Sequence, residues 1–242
     1  MSRPGPSPPE LIATVGLHGS ASTWVFNIVR ELVSAAAGPD RTLSFYADQL
    51  DQMPEDAVRA GKHIVFKSHH GSHELDAWLK ERHGLVILSL RDPRDACLSM
   101  SRRFAAPLRN AALWIAQHCA RVARLAGHGH PLLCYEDRFF EDRGSVDRLA
   151  DLLGITCGPE VKDSLFAGYG TEAVRCFARQ LEDLPPERLT LVAGFPMDRV
   201  TQVLAPHIGD GRTGKWRDLP EQARAELTRY FRPFLERFGY EA

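Results

Sequence analysis

The sequence predicts an α/β protein with a central parallel sheet between two layers of helices. Three short apolar segments, 11–15, 63–67 and 85–90, each run into a turn and then into a helical pattern. The third is continuously apolar, as strands buried on both faces are. Alternating strands and helices form parallel sheets, and ligands bind at the carboxyl ends of such strands. We therefore expect a three-layer α/β/α domain whose site lies at one sheet edge.

Local spacing predicts the remaining elements. Apolar residues recur at helical spacing from Val25 to Ala36, and Gly38-Pro39 ends that helix. Residues 40–48 connect it to the next unit with a possible short strand, and 131–134 predict a fourth strand. One further helix is predicted to follow residues 91–95 and to run through Phe104. Others are predicted over 74–82, 107–127, 145–153, 160–166, 172–181, 197–204 and 220–238. Pro233 is expected to kink or divide the last of them. The C-terminal half is thus expected to be helical, without another strand.

Length and composition indicate one domain, 11–242, after a flexible N-terminus rich in Pro and Ser, 1–10. The 242 residues are 44% hydrophobic and 25% charged, and a formal net charge of −1 gives no general attraction for nucleic acid. No apolar run reaches the length of about 18 residues that a membrane span needs. The five cysteines form no C-x-x-C pair, and His118, His128 and His130 lack metal-ligand spacing. We expect a cytoplasmic protein without a transmembrane segment, nucleic-acid partner or metal.

The turn between the first strand and the first helix is a candidate anion site. It reads Gly-Leu-His-Gly-Ser-Ala-Ser-Thr-Trp over 16–24. The first N–H groups of a helix lack partners and the helix dipole is positive there, so phosphate or sulfate is stabilised. Ser20, Ser22 and Thr23 add hydroxyl donors, although such residues also serve as plain N-caps. The turn lacks the Gly-Lys-Ser/Thr ending of a Walker A loop, which disfavours an ordinary nucleotide triphosphatase.

Polar clusters also follow the second and third predicted strands. Lys67, Ser68 and His69 end the second strand, and Arg91 and Arg94 follow the third. Each cluster alone also fits a solvated loop. Because neighbouring parallel strands end at one edge of the sheet, we expect the clusters to meet the first turn there.

These segments resemble the sulfotransferases that use 3′-phosphoadenosine-5′-phosphosulfate (PAPS). Residues 17–24 look like the family's 5′-phosphosulfate loop, whose usual form is aromatic-Pro-Lys-Ser-Gly-Thr-Thr-Trp. Residues 90–99 are similar to its 3′-phosphate motif, with Arg91 and Ser99 eight positions apart. Other similarities are to its Lys-Thr-His element (66–69), its Tyr-Glu-Asp segment (135–137) and its late loop Arg-Lys-Gly-x-x-Gly-Asp-Trp-Lys (209–217). The resemblance covers most of the chain and implies the family's P-loop-NTPase-like fold.

The resemblance also implies roles for individual residues. His69 is the implied general base and Lys67 the contact to the transferring group; a neutral imidazole accepts a hydroxyl proton near neutral pH. If the backbone stays extended, His70 faces away from His69. The aromatic residues among the cofactor contacts would stack on adenine. The implied cofactor-binding set is His18, Gly19, Ser20, Ala21, Ser22, Thr23, Trp24, Arg91, Ser99, Tyr135, Phe177, Gly211, Arg212, Thr213 and Gly214.

Two of these segments depart from the family pattern. Gly19 stands where the 5′-phosphosulfate loop has its lysine, and Gly209 and Asp210 stand where the late loop begins Arg-Lys. His18, Lys67 or a residue from elsewhere in the chain are candidates to supply the missing positive charge.

The predicted activity is transfer of the sulfuryl group of PAPS to a hydroxyl or amine of a small molecule, sugar or lipid. The product of PAPS would be adenosine 3′,5′-bisphosphate (PAP). One alternative is a non-catalytic module of the same fold that binds PAP or PAPS. A less favoured alternative is an ATP-dependent small-molecule kinase, for which the sequence shows no magnesium-binding carboxylate near the turn.

Overall fold

The computed structural model describes residues 7–54, 60–205 and 208–241. Within these ranges a parallel sheet has the spatial order β2-β3-β1-β4-β5. Its strands are β1 (Leu11–Gly16), β2 (Thr42–Tyr46), β3 (His63–Ser68), β4 (Leu85–Leu90) and β5 (Leu132–Cys134). This architecture confirms the predicted α/β fold class, and β2 confirms the possible short strand. Of the predicted flexible N-terminus, 1–10, positions 1–6 lie outside the described residues.

Helices cover both faces of the sheet. They are α1 (Ser22–Ala37), α2 (His73–Glu81), α3 (Pro93–Phe104), α4 (Leu108–Ala126), α5 (Gly144–Leu152), α6 (Pro159–Gly168), α7 (Thr171–Arg179) and α8 (Glu221–Phe238). Helix α8 runs through Pro233 as one helix, so this proline does not divide it. No helix in the described parts of the chain is both long and apolar enough to cross a membrane.

The central strand β1 shows why the molecule has three layers. All six of its residues are buried. Ala13 belongs to one apolar cluster, with Ile115 of α4 and Phe231 of α8. Its neighbour Ile12 belongs to the other, with Phe26 of α1. Because successive side chains of a strand point to opposite faces, an unbroken apolar strand requires helices on both sides.

The segment after α7 differs from its prediction. Strands β6 (Leu189–Val192) and β7 (Phe195–Asp198) form an antiparallel hairpin, so the helix predicted over 197–204 and the absence of further strands are wrong. The buried Asp198 carboxylate accepts hydrogen bonds from the Arg188 guanidinium and from the Thr201 hydroxyl and backbone N–H. These bonds satisfy the carboxylate within a loop, which overrides the helical spacing of the apolar residues.

The strand register places three loop starts side by side. Val15 of β1 pairs with Ser68 of β3, and Gly16 pairs with Ser89 of β4. The turns that follow β1, β3 and β4 therefore leave the sheet at one edge, as predicted.

Candidate active site

The turn between β1 and α1 is shaped by close backbone approach. A Cβ atom on Gly16 would lie 2.1 Å from the Ser89 Oγ atom, so only glycine fits there. The Ser20 hydroxyl donates to the Leu17 carbonyl oxygen at 2.7 Å and is buried, so it stabilises the turn from within. Among the described residues, no side chain caps the N-terminus of α1. A helix N-terminus without a side-chain cap favours the binding of an anion.

A cleft with an empty volume of about 1020 Å³, its open mouth included, lies against this turn. Many residues of the implied cofactor-binding set line it: Gly19, Ala21, Ser22, Thr23, Trp24, Arg91, Ser99, Tyr135 and Gly211. Within the described ranges, the lining does not include the other members of the set, His18, Ser20, Phe177, Arg212, Thr213 and Gly214. The first turn, the start of α3 and the late loop thus meet at one opening.

Arg91 joins the two loops that border this cleft. Its Nη1 atom donates to the Gly19 carbonyl oxygen at 3.0 Å, and its Nη2 atom to the Arg212 carbonyl oxygen at 2.8 Å. The Asp95 carboxylate lies 3.5 Å away, and the guanidinium sits 4.1 Å above the centroid of the Tyr135 ring. Among the described atoms, the buried Nε donor of Arg91 has no partner. The side chain is therefore held in place and still has a donor to offer.

Asp95 fixes the late loop to α3. Its carboxylate accepts the backbone N–H groups of Gly214 at 2.6 Å and of Trp216 at 3.0 Å. The Tyr135 hydroxyl adds a bond to the Gly211 carbonyl oxygen at 3.3 Å. Sequence reasoning did not single out Asp95 for this role, because its backbone partners lie more than a hundred positions away.

Arg94, which the sequence grouped with Arg91, has a structural role. Its guanidinium pairs with Asp92 at 2.8 Å and lies 3.5 Å above the Trp216 ring centroid. It also donates to the Glu241 carbonyl oxygen at 2.6 Å. Arg94 thus connects α3, the late loop and the end of the described chain.

Lys67, at the end of β3, reaches the first turn. Its Nζ atom donates to the Thr23 hydroxyl at 2.8 Å, and the side chain is only 5% exposed. Burial lowers the pKa of Lys67 to about 7, and the positive charge of Arg103 adds to that effect. An anion placed at Thr23 would restore the charged ammonium.

His69 is held in the tautomer that a general base needs. Its Nδ1 atom lies 2.6 Å from the Gly16 carbonyl oxygen, which can only accept, so Nδ1 carries the proton and Nε2 the lone pair. Burial, and then the charge of Lys67, lower the pKa of His69 well below its ordinary value. The imidazole is therefore neutral at neutral pH and able to accept a proton.

Asp48 directs His69 inward and was missed by the sequence analysis. Its Oδ1 atom accepts the Ser68 hydroxyl at 2.7 Å and the backbone N–H groups of His69 at 2.8 Å, His70 at 3.0 Å and Gly71 at 3.2 Å. These four bonds turn the chain sharply after β3. His69 is consequently buried and His70 exposed. The turn ends the extended backbone on which the predicted alternation of these two side chains depends, so that prediction does not apply here.

Other histidines surround His69. The His18 ring centroid lies 3.9 Å from that of His69 and 4.7 Å from that of His118. The His118 and His70 Nε2 atoms are 3.0 Å apart, so one of them donates to the other. In the described parts of the chain, no group of three or more His, Cys, Asp or Glu residues is arranged to hold a metal. His18 thus packs against the candidate base instead of lining the cleft.

Further residues of the cleft lining come from α1 and α7. Trp24 lines the cleft, and no described group partners its buried Nε1 donor. The Asn27 amide nitrogen donates to the Thr23 and Thr201 carbonyl oxygens, both at 2.8 Å. From α7 the lining residues are Val174 and Arg175, whereas Phe177 of the same helix is not among the described lining residues.

Comparison with known proteins bears on the fold. No protein-family model matches the sequence, and no curated protein matches it. Among solved structures, mouse sulfotransferase SULT7A1 complexed with PAP superimposes with a TM-score of 0.67 at 12% identity, covering 93% of this chain and 84% of that one. The chain has the sulfotransferase fold. Retinol dehydratase in complex with androsterone and the inactive cofactor PAP shares this fold at a TM-score of 0.60 and 16% identity, covering 95% and 82% of the two chains.

Proposed function

We propose that this protein is a PAPS-dependent sulfotransferase. The observation that carries the proposal is the arrangement around Thr23: the uncapped N-terminus of α1 and Arg91 face the cleft, and Lys67 bonds to Thr23 close to a neutral, correctly protonated His69. The two similar structures described above contain PAP, the product that such a reaction leaves. The fold and the cleft thus support the same nucleotide.

The proposed reaction needs positioned charge more than covalent chemistry. PAPS would bind with its 5′-phosphosulfate at the N-terminus of α1 and its 3′-phosphate toward Arg91 and Ser99. The acceptor oxygen or nitrogen forms a bond to the sulfur as the bond from sulfur to the phosphate oxygen breaks, and that bonding pair stays on PAP. The acceptor proton passes to the His69 Nε2 atom. Lys67 stabilises the charge that develops on the bridging oxygen.

The acceptor is proposed as a hydroxyl or amine of a small molecule, sugar or lipid, and the location as cytoplasmic. Retinol and androsterone are bound in the retinol dehydratase structures. A non-catalytic module remains the second candidate, because Gly19 lacks the lysine that sulfotransferases carry at this position.

Two measurements test the proposal together. PAP should raise the melting temperature of the protein more than ATP does. A ligand present at about a hundred times its dissociation constant adds about 2.7 kcal/mol to the free energy of unfolding. Radiolabelled PAPS should then be consumed in the presence of a panel containing a phenol, a long-chain alcohol, a steroid, a monosaccharide and an amine, with His69→Ala as the control. A PAP shift without PAPS consumption would favour the non-catalytic module. An ATP preference would favour the kinase.

A further inference from the structure

Gly19 stands where the first turn of the family has a lysine, and the structure shows where a side chain at this position would point. Gly19 has φ +78°, and a Cβ atom built on it would lie 3.2 Å from the Ser99 Oγ atom and 3.7 Å from the Arg91 Nη1 atom. A side chain at this position would therefore run along the face of α3 that carries Ser99.

Arg103 occupies that same face of α3. It follows Ser99 by four positions, so the two side chains lie one helical turn apart on one side of the helix. Arg103 lines the same cleft as Gly19, Ser22 and Thr23. Its neighbour Arg102 is exposed and is not among the described lining residues.

The charge of Arg103 acts on two other cations: Arg91, which lines the same cleft, and Lys67, which is bonded to the lining residue Thr23. Burial, and then the positive charge of Arg91, lower the pKa of Arg103 to about 10. Arg103 in turn is the charged group that contributes most to the lowered pKa of Lys67. Arg103 therefore lies within electrostatic reach of both Arg91 and Lys67. Positive charges gathered in this way repel one another, and a bound anion would relieve that repulsion.

We propose that Arg103 binds the 5′ group of the nucleotide, the phosphosulfate of PAPS and the 5′-phosphate of PAP. It would supply from α3 the positive charge that Gly19 cannot supply from the first turn. A guanidinium suits this role because its planar set of donors can make two hydrogen bonds to one phosphate or sulfuryl group. The inference rests on the proposed function, since it presupposes that PAP and PAPS bind in this cleft.

The test separates the two ends of the nucleotide. Calorimetry would compare the affinities of PAP, adenosine 3′-phosphate and adenosine 5′-phosphate for the wild type and for Arg103→Gln. In the variant, the gain in affinity from adding the 5′-phosphate to adenosine 3′-phosphate should fall about tenfold or more. The gain from adding the 3′-phosphate to adenosine 5′-phosphate should stay within about twofold. Arg102→Gln is the matched control and should change neither gain.

The outcomes distinguish this inference from the proposed function. A wild-type protein that does not bind PAP would overturn both. A wild-type protein that binds PAP, together with an Arg103→Gln variant that keeps the full 5′ gain, would overturn only the role of Arg103. Arg103→Lys should keep most of the 5′ gain, because it preserves the charge. If Arg103→Gln lowers the melting temperature of the free protein, Arg103→Met, which keeps side-chain length without charge, provides the same comparison.

Discussion

The Arg91 and Lys67 ends of the candidate site differ in how their positive charges are held. Arg91 lines the cleft, whereas Lys67 is bonded to the lining residue Thr23 and is not itself among the described lining residues. At the Arg91 end, the guanidinium is bonded to two carbonyl oxygens, and Asp95 both faces it and anchors the late loop. At the Lys67 end, burial and nearby positive charge lower the pKa values of Lys67, His69 and Arg103. The Arg91 end is organised before any ligand binds. At the Lys67 end, a bound anion would stabilise the charged forms of the side chains.

Because of this difference, we expect the two ends to contribute differently to nucleotide binding and to the chemical step. A preorganised guanidinium adds affinity and selectivity equally in the ground state and the transition state, which lowers the concentration of nucleotide needed. Closely gathered cations interact more strongly as negative charge develops on the leaving oxygen, which accelerates the chemical step. We therefore expect variants at the Lys67 end to affect turnover, and variants at the Arg91 end to affect nucleotide selectivity.

Lys67→Ala gives the largest expected effect. Loss of a buried ammonium bonded to Thr23 should reduce PAPS turnover by about 10² to 10³. Lys62→Ala, which changes an exposed lysine just before the same strand, is the control and should have wild-type turnover. Gly19→Lys should not rescue the variant, because φ is +78° at this position and the substitution strains the turn. Unchanged turnover in Lys67→Ala would show that the lysine is only structural.

His69→Ala should lower turnover by about 10² while PAP affinity stays within about twofold, as expected for a general base. His70→Ala should have a milder effect, because this side chain is exposed. Steady-state turnover of radiolabelled PAPS and calorimetry of PAP give the two numbers. The opposite ranking of the two variants would transfer the proton-accepting role to His70.

Arg91→Ala should reduce the preference for PAP over adenosine 5′-phosphate by about tenfold to a hundredfold, because a charged hydrogen-bonded pair to phosphate is lost. Arg109→Ala, at an exposed arginine of α4, is the control. Competition binding of the two nucleotides provides the measurement. A variant that keeps the wild-type preference would remove Arg91 from the 3′-phosphate site.

The smallest expected effect is on the pH dependence of PAP affinity. Lys67 has a pKa of about 7 in the free protein, and a bound anion raises it. Binding therefore takes up a proton, and affinity should fall several-fold as pH rises from about 7 to about 9. Lys67→Arg remains charged over this range and should flatten the dependence. A wild-type profile as flat as that of the variant would contradict the role of Lys67 in binding the 5′ group.

Much of the fold was predictable because its signals are local. Apolar strands of four to six residues and helical spacing identified the parallel sheet and its covering helices. The hairpin at 189–198 was not predicted, because Met197, Val200, Val203 and Leu204 imitate helical spacing, whereas the deciding bonds of Asp198 reach Arg188, ten positions earlier. Tertiary contacts of this kind are invisible to a periodicity argument.

The site was predicted where motifs are contiguous and missed where residues act across the fold. The cleft brings Gly19, Thr23, Arg91, Ser99 and Tyr135 together as the resemblance implied, although their roles stay predictions. Asp48 and Arg103 were overlooked, since a polar residue in a connecting segment and a cation near a helix end are commonly solvated. For Arg103, the sequence signal was its four-residue spacing from Ser99. This spacing points to a role for Arg103 only when it is considered together with the absence of a lysine at Gly19.

The hydrogen bond from His69 to the Gly16 carbonyl oxygen also offers a practical readout. The Nδ1 proton of His69 lies in this 2.6 Å hydrogen bond, and the ring is nearly inaccessible to water. Exchange of this proton with water should therefore be slow. Such an imidazole proton gives a separate downfield signal in a nuclear magnetic resonance spectrum. Any compound that binds beside His69 would shift that signal, whether or not the compound is a substrate. Acceptors could thus be screened by their effect on one resonance, before the chemistry of the natural acceptor is known.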